Sequence, residues 1–419
     1  MYCENCRIQL PDNARACPFC GKATKVPPKA KNTKPVKALL IVVLAAVVIG
    51  AGALVIRGIV GAGTVNGVTQ NGYDARQMIR VGKTTYMVME SSERRVSQIL
   101  RIDEKTDSKA QEVYKISWPN SGRIWFYLIC IKGNTLYYLE YKRTEADARN
   151  PALIELKSLD LKKEGSKPVT IALKLKEGKQ IPQGFIEACE KSRDKKFSLE
   201  DLLEIQAGFD KNYIYIVQAN GGVNGRVTLV AIDCTNGEVS FIEGSSLGPK
   251  EYWVSVALID GYLYYERHDD ERLEGLYRAS LSDLKEEKLL DAPERAVYFS
   301  DLRVRDNSFF YKMTTYSSKQ YGLELHHLDL GTRKDLVVVT AASYFTYDVS
   351  ANTIYYFEQG DLRSCNYDGS NDKLVVKDRN NAVIKNYLYV LGDWVYYKYD
   401  DDWYRLKPGD GEFPSRSLN

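Results

Sequence analysis

From about residue 78 to the C-terminus, hydrophobic and polar positions alternate with period two in short runs, bounded by Gly, Asn and Asp. This is the pattern of half-buried or two-sided β-strands joined by tight turns. The runs repeat. Aromatic strands follow the turn positions Lys83, Asn134, Asn212, Gly261, Asn307, Asn352 and Asp393, as in Asn134-Thr-Leu-Tyr-Tyr-Leu, Asn352-Thr-Ile-Tyr-Tyr-Phe and Asp393-Trp-Val-Tyr-Tyr-Lys. The steps between these positions are 51, 78, 49, 46, 45 and 41 residues, so five of six share a period and the 78 carries an insertion. A short run precedes each aromatic strand (Tyr387-Leu-Tyr-Val-Leu) and two follow it (Leu323 to Gly331, then Asp335-Leu-Val-Val-Val). Four strands at this spacing predict a mainly β, seven-bladed β-propeller over 78–419, with six or eight blades as the alternative. One four-stranded sheet cannot cover both its faces. Sheets packed face to face around an axis cover one another and leave few open edges.

Adjacent strand residues point to opposite faces, so Tyr137-Tyr138, Tyr264-Tyr265, Tyr355-Tyr356 and Tyr396-Tyr397 are expected to pack between blades, not to form a ligand ladder. By the same rule, one of the mid-strand residues His326 and His327 is expected to face solvent. The insertion, near 176–205, contains Ser198 and Asp201 at capping-box spacing, which predicts a short helix from Leu199. That helix is either a partner-binding element or a cover over the ring. A stalk is expected over 61–77, and a strand from 64–75 is expected to complete the last blade.

The first 60 residues follow another pattern. Ala38 to Ile56 is a run of Ala, Leu, Ile, Val and Gly without a polar side chain. As a helix it is roughly 28 Å long, enough for a bilayer core. A buried core helix would show a polar stripe, and a cleaved signal peptide is usually shorter; a transmembrane helix over 38–60 is the expectation. Residues 25–37 are a linker rich in Lys and Pro. The chain is formally +3 in total, but residues 1–37 hold eight basic against two acidic side chains, +6, which leaves −3 for the remainder. Positive charge on the N-terminal flank predicts a cytoplasmic N-terminus, an extracellular C-terminal domain and a single-pass protein of the cell membrane.

Cysteine usage divides at the same boundary. Cys3, Cys6, Cys17 and Cys20 form two C-x-x-C knuckles within residues 1–24, whereas Cys130, Cys189, Cys234 and Cys365 are scattered. Paired knuckles aim four sulfurs at one point, the tetrahedral shell of a structural Zn2+; two disulfides are the alternative, unfavoured in a cytoplasmic segment. One structural zinc in a zinc ribbon is therefore expected. With few basic groups at the knuckles, nucleic acid is not an expected partner.

The repeats, above all Asn352-Thr-Ile-Tyr-Tyr-Phe-Glu-Gln-Gly-Asp-Leu-Arg-Ser-Cys-Asn-Tyr-Asp-Gly-Ser-Asn, resemble the bacterial propeller domain of the low-density-lipoprotein-receptor-related type. That domain often follows a zinc ribbon and a single span in surface proteins. The resemblance implies architecture and no particular activity. The Tyr-Trp-Thr-Asp signature of the animal relatives is absent, so no ligand residues are carried over.

The sequence contains no G-x-S-x-G, P-loop or G-x-G-x-x-G, and its three His (His268, His326, His327) have no metal spacing. No catalytic residue is assigned, and the chain is expected not to be an enzyme. The functional expectation is a bitopic surface protein whose extracellular propeller binds a protein or an envelope polymer, while the zinc ribbon makes contacts inside. The alternative is a membrane-anchored propeller enzyme, a carbohydrate- or peptide-directed hydrolase or lyase.

Overall fold

A computed structural model describes residues 65–68 and most of 77–418. Residues 1–64, 69–76, 105–108, 120–121, 145–152, 194–195, 205–207, 220–225, 247–250, 270–271, 318–319, 342–345, 378–386, 400–401, 410–416 and 419 lie outside the described set. The zinc ribbon with Cys3, Cys6, Cys17 and Cys20, and the apolar run 38–60, therefore fall outside it. Among the described residues no helix is long and apolar enough to cross a membrane, and no group of His, Cys, Asp and Glu is placed to hold a metal.

The described chain is a seven-bladed β-propeller. Blade 1 is Met78–Val81, Thr84–Ser91, Val96–Asp103 and Gln111–Ser117. Blade 2 starts with Gly122–Lys132, Thr135–Thr144 and Leu153–Asp160, and blade 3 is Gly208–Asp210, Tyr213–Ala219, Arg226–Asp233 and Glu238–Ser246. Blades 4 and 5 run from Glu251–Ile259 to Glu286–Asp291 and from Ala296–Arg305 to Asp335–Ala341. Blade 6 runs from Thr346–Ser350 to Lys373–Val376, and blade 7 has three strands, Tyr387–Leu391, Trp394–Tyr399 and Asp402–Leu406. Within a blade each strand pairs antiparallel with the next, and the first strands form the inner wall of the ring.

The turn positions read from the repeat are where the structure has them. Each hairpin from first to second strand is two residues long; a left-handed residue opens six of the seven (Gly82, Gly133, Lys211, Asp260, Asp306 and Gly392), and in the sixth blade it is the second, Asn352. Positive φ matches the twist of two-residue hairpins, which is why Gly, Asn and Asp mark them.

Seven hydrophobic clusters form, one at each junction between neighbouring blades, including the junction of blade 7 with blade 1. The paired tyrosines supply them from both faces of one strand. Tyr264 and Tyr265 face different clusters and are both buried, as are Tyr396 and Tyr397.

Closure differs from expectation. A strand does form at Val65–Val68, but it pairs antiparallel with the end of the inner strand of blade 2 (Val65 with Lys132, Val68 with Cys130) and does not complete blade 7. The ring is closed from the other end of the chain. Trp403 of blade 7 donates from Nε1 to the Val88 carbonyl of blade 1 at 2.8 Å. Leu418 donates its N–H to the Trp403 carbonyl at 2.7 Å and accepts from the Ala110 N–H at 3.3 Å, tying the outer edges of blades 7 and 1 together.

The insertion contains more than was read from it. Val169–Thr170 adds to the outer edge of blade 2 and Lys174–Leu175 lies parallel against the outer strand of blade 3, so one short segment staples two blades. An α-helix, Gln183–Arg193, follows, unrecognised in the sequence. The helix expected from Leu199 is the 3-10 helix Leu199–Glu204, and half of its capping box is present: the Asp201 carboxylate accepts from the Ser198 N–H at 2.9 Å. Phe185, Cys189, Leu202 and Leu203 are buried in the cluster between blades 2 and 3, so the insertion packs on the ring.

The staple yields a prediction. Gly237 has φ +75°, and a Cβ there would lie 2.1 Å from the Ala172 carbonyl oxygen of the stapling segment, whereas Gly82, at φ +60°, has open space around it. Gly237→Ala is expected to cost at least about 2 kcal/mol and Gly82→Ala only about 1 kcal/mol, compared by urea unfolding. Equal costs would show that backbone conformation, not the staple, governs the site.

Candidate functional site

Antiparallel blades place their hairpins alternately at the two ends of the ring. At the end where the inner strands begin, a cleft of about 720 Å³ opens across blades 7, 1 and 2. Its walls come from the start of three inner strands (Gln77, Gly122, Tyr387), the second hairpin of blade 1 (Ser92, Arg95), and side chains of blade 2 (Arg123, Trp125, Tyr127, Arg143). Trp118 and Glu90 complete it. Among the described residues, four aromatic rings, three guanidiniums and one carboxylate line the cavity, a formal charge of 3 − 1 = +2.

The positions are held from below. Arg95, left-handed at φ +51°, donates from Nη2 to the carbonyls of Pro119 (2.6 Å) and Gly122 (3.2 Å), fixing the link between blades 1 and 2. Trp118 is pinned by its Nε1–H to Ser97 Oγ at 2.8 Å, and Ser97 Oγ in turn donates to the Ile124 carbonyl. Trp125 stacks on Tyr141 with centroids 5.1 Å apart, and Tyr127 meets the same ring edge-on at 5.0 Å. Arg123 lies 5.5 Å over the Trp118 ring and donates to Glu90 Oε2 at 2.6 Å. The Arg123 side chain is 60% exposed and that of Glu90 is 12% exposed, so an anion arriving from solvent meets the guanidinium first. None of these residues stood out in the sequence, because they come from separate blades at irregular spacing.

A second concentration of charge lies between blades 5 and 6. The inner strand of blade 5 bulges between Ser300 and Arg303, and Asp301 within the bulge is left-handed at φ +49°. Lys312, almost fully buried, forms an ion pair with Asp301, and the Tyr347 hydroxyl donates to the Asp301 carbonyl. Arg303 and Lys312 both lie 5.7 Å from the Tyr347 ring centre. Asp348, alongside, accepts from the N–H groups of Val349 (2.9 Å) and Val390 (2.6 Å), the latter on blade 7. Glu266 and Asp210 play the same part elsewhere, accepting from the N–H groups of Phe299 (2.7 Å) and Gly261 (2.9 Å) in the following blade. These carboxylates are committed to joining blades.

Burial, opposed by Arg303 and the two backbone donors, pushes the Asp348 carboxyl up to about 6. A raised carboxyl pKa gives a stability contribution that is complete below the unfolded value and lost as pH rises through the folded one. Relative to Asp348→Asn, the wild-type chain is therefore expected to lose about 1–1.5 kcal/mol between about pH 5 and about pH 7.5. Urea unfolding of both proteins at the two pH values checks this; parallel curves would remove Asp348 as the titrating group.

The histidines do not behave as expected. His326 is buried, stacked on Tyr311 at 4.9 Å with Nδ1 2.8 Å from Asp335 and Nε2 3.1 Å from Glu324, and His327 is half-buried, stacked on Phe310 at 4.9 Å. Neither faces open solvent, because a propeller blade has a neighbour on each face. His268 is buried beside Glu266. The three His are not brought together with a nucleophile or a metal-ligating set among the described residues.

Comparison with known proteins establishes the fold and no more. No family model and no curated protein matches the chain. The solved structures it resembles include prolyl endopeptidases (9% identity, TM-score 0.50, 84% of this chain and 50% of theirs). They also include an oligogalacturonate lyase from Vibrio parahaemolyticus (10%, 0.43, 80% and 93%) and the propeller domain of the Trilobed protease from Pyrococcus furiosus (12%, 0.39, 84% and 98%). The chain thus spans half the length of the endopeptidases. The expectation that this chain is not an enzyme is corrected here: the same ring occurs in prolyl endopeptidases, so the fold gives no ground for excluding catalysis. It rested on missing linear motifs, and a propeller assembles its sites from several blades, where such motifs do not form.

Proposed function

We propose that the cleft across blades 7, 1 and 2 holds a carboxylate-bearing carbohydrate chain, and that the protein is a carbohydrate-directed enzyme, best read as a lyase. The carrying observation is the lining itself: Arg95, Arg123 and Arg143 beside Trp118, Trp125, Tyr127 and Tyr387, with Glu90 the single carboxylate among the described residues. Aromatic faces suit the C–H faces of sugar rings, and guanidiniums suit carboxylates. Hydrolysis of a glycosidic bond ordinarily takes two flanking carboxylates, and among the described residues the cleft offers one. Peptide hydrolysis would take an activated nucleophile, and no His lines the cleft to activate Ser92.

β-Elimination needs less: a cation on the sugar carboxylate and one base. In the reaction proposed, the substrate carboxylate displaces Glu90 from Arg123, and the freed Glu90 takes the proton on the carbon next to that carboxylate. The C–H electron pair becomes a carbon–carbon double bond, the bond to the glycosidic oxygen breaks, and that oxygen leaves with a proton from solvent. Arg123 neutralises the charge that develops on the carboxylate.

The rest of the chain enters this proposal as its carrier. The zinc ribbon of Cys3, Cys6, Cys17 and Cys20, the span over 38–60, the extracellular position of the propeller and the kinship with the low-density-lipoprotein-receptor-related type of bacterial propeller all belong to it. In that setting the substrate is an acidic polymer of the envelope or surroundings.

The full chain is to be incubated with polygalacturonate, alginate and hyaluronan, and with neutral amylose as control, following ultraviolet absorbance of unsaturated uronates and binding by calorimetry. Binding to an acidic polymer with growth of the chromophore is expected. Binding without it overturns the lyase step, and no preference for acidic over neutral polymers overturns the cleft assignment.

A further inference from the structure

Cys130 and Cys234 are separated by 104 positions in the sequence, yet their sulfurs lie 3.6 Å apart. Cys130 is on the inner strand of blade 2, at a bulge between Leu128 and Cys130, where the Val65–Val68 strand pairs with it. Cys234 follows the third strand of blade 3, held by its N–H to the Asn212 carbonyl at 2.9 Å. Both side chains are fully buried in the apolar cluster between the two blades, with Ile129, Ile232 and Val239 around them. An aliphatic pair would fill this space without liability, and here two thiols from different blades meet instead.

We propose that Cys130 and Cys234 are a redox pair that closes into a single disulfide between blades 2 and 3 when the chain folds in contact with a disulfide donor. One thiolate attacks a sulfur of the donor, and the other cysteine then displaces the donor's remaining half. An S–S bond forms, two thiols are oxidised, and the donor's disulfide leaves as two thiols carrying the two electrons and two protons. The sulfurs already stand at van der Waals contact, from which a bond of about 2 Å is a short closure. Burial and the neighbouring thiol push the Cys234 thiol well up. The thiolate is therefore scarce once the ring has closed, and no path for a donor leads to a fully buried sulfur. The bond forms during folding or during opening of blades 2 and 3, and once formed it resists reduction for the same reason. The effect is a covalent staple beside the hydrogen-bonded one supplied by Lys174–Leu175.

The test uses the full chain, unfolded and reduced, then refolded by dilution with zinc and a mixture of oxidised and reduced glutathione, blocked with N-ethylmaleimide and mapped by peptide mass. A second sample, purified folded under reductant, is held with oxidised glutathione in mild urea, so the result does not depend on refolding yield. In both, a linked Cys130–Cys234 peptide is expected, with Cys189 and Cys365 alkylated. The oxidised protein should melt about 5–10 °C above the reduced one, a difference that vanishes in the C130A/C234A double variant. Folded protein with both thiols alkylated, or linkage spread without preference over Cys130, Cys189, Cys234 and Cys365, overturns the proposal.

Discussion

Replacing Trp403 by alanine is expected to lower the stability of the propeller by roughly 3–5 kcal/mol, among the largest effects of any single substitution in the ring. Trp403 is fully buried and sits on the last strand of blade 7, which has three strands among the described residues. Its indole fills the cluster that joins blade 7 to blade 1, together with Met78, Met87, Met89, Tyr389 and Tyr396. Its Nε1–H reaches the Val88 carbonyl of blade 1, and its own carbonyl receives the Leu418 N–H. Six junctions of the ring are reinforced by a continuous chain, whereas among the described residues this one is held by side chains and by Leu418. A cavity here therefore does more than loosen one core, because it weakens the contact that makes the ring closed. Trp403→Phe retains much of the ring volume and loses the hydrogen bond, so a cost of about 1–2 kcal/mol is expected. Denaturant unfolding with hydrogen exchange checks both. Protection should fall first in blades 7 and 1; uniform loss around the ring would show that the closure is not the weak point.

The reason the architecture could be read before the site lies in which residues each depends on. A blade is local. Its turns need positive φ, so Gly82-Lys83 and Asp306-Asn307 announce themselves, and its strands need large groups on both faces, so Tyr264-Tyr265 and Tyr396-Tyr397 recur at one period. What escaped was the non-local part. The Val65–Val68 strand carries only two valines and could pair with any open edge; it joins blade 2, which no local pattern specifies. The helix Gln183–Arg193 has Lys191 and Arg193 at its end but no acidic residue in its first turn and no strong apolar stripe, so its start gave no signal. Alternation assigns one of His326 and His327 to a wet face, but here both faces are covered, by Tyr311 against His326 and Phe310 against His327. The cleft is the extreme case. Trp118 lies in the link between blades, Arg123 just inside the first strand of blade 2, Glu90 near the end of a strand, and Tyr387 begins one almost 300 residues later. Only ring closure brings Tyr387 beside Gln77, so the site exists in the tertiary structure and not in any segment. The buried carboxylates Asp210, Glu266 and Asp348 are similar: each answers a backbone N–H of another blade that the sequence does not reveal.

In the cleft itself, Arg123→Ala is expected to weaken binding of an acidic oligosaccharide about 10- to 100-fold, the loss of one or two charge-assisted hydrogen bonds. Arg123→Lys keeps the charge but not the planar fork, and an intermediate affinity follows. Since the side chain is largely exposed, neither change should disturb the fold, and thermal unfolding is the control. Trp118→Ala should cost about tenfold through the lost ring face. Because Trp118 also bonds to Ser97, Trp118→Phe is the companion that retains a face without the N–H. Raised salt should weaken the wild type more than Arg123→Ala, whose missing charge is the one being screened. Glu90→Gln separates holding from reacting: the amide still accepts a hydrogen bond from Arg123 but cannot take a proton. Its affinity should stay within a few-fold of wild type while turnover falls by about 10²–10⁴. Turnover unaltered in Glu90→Gln would remove Glu90 as the base, and affinity unaltered in both Arg123→Ala and Trp118→Ala would move the ligand to another part of the ring.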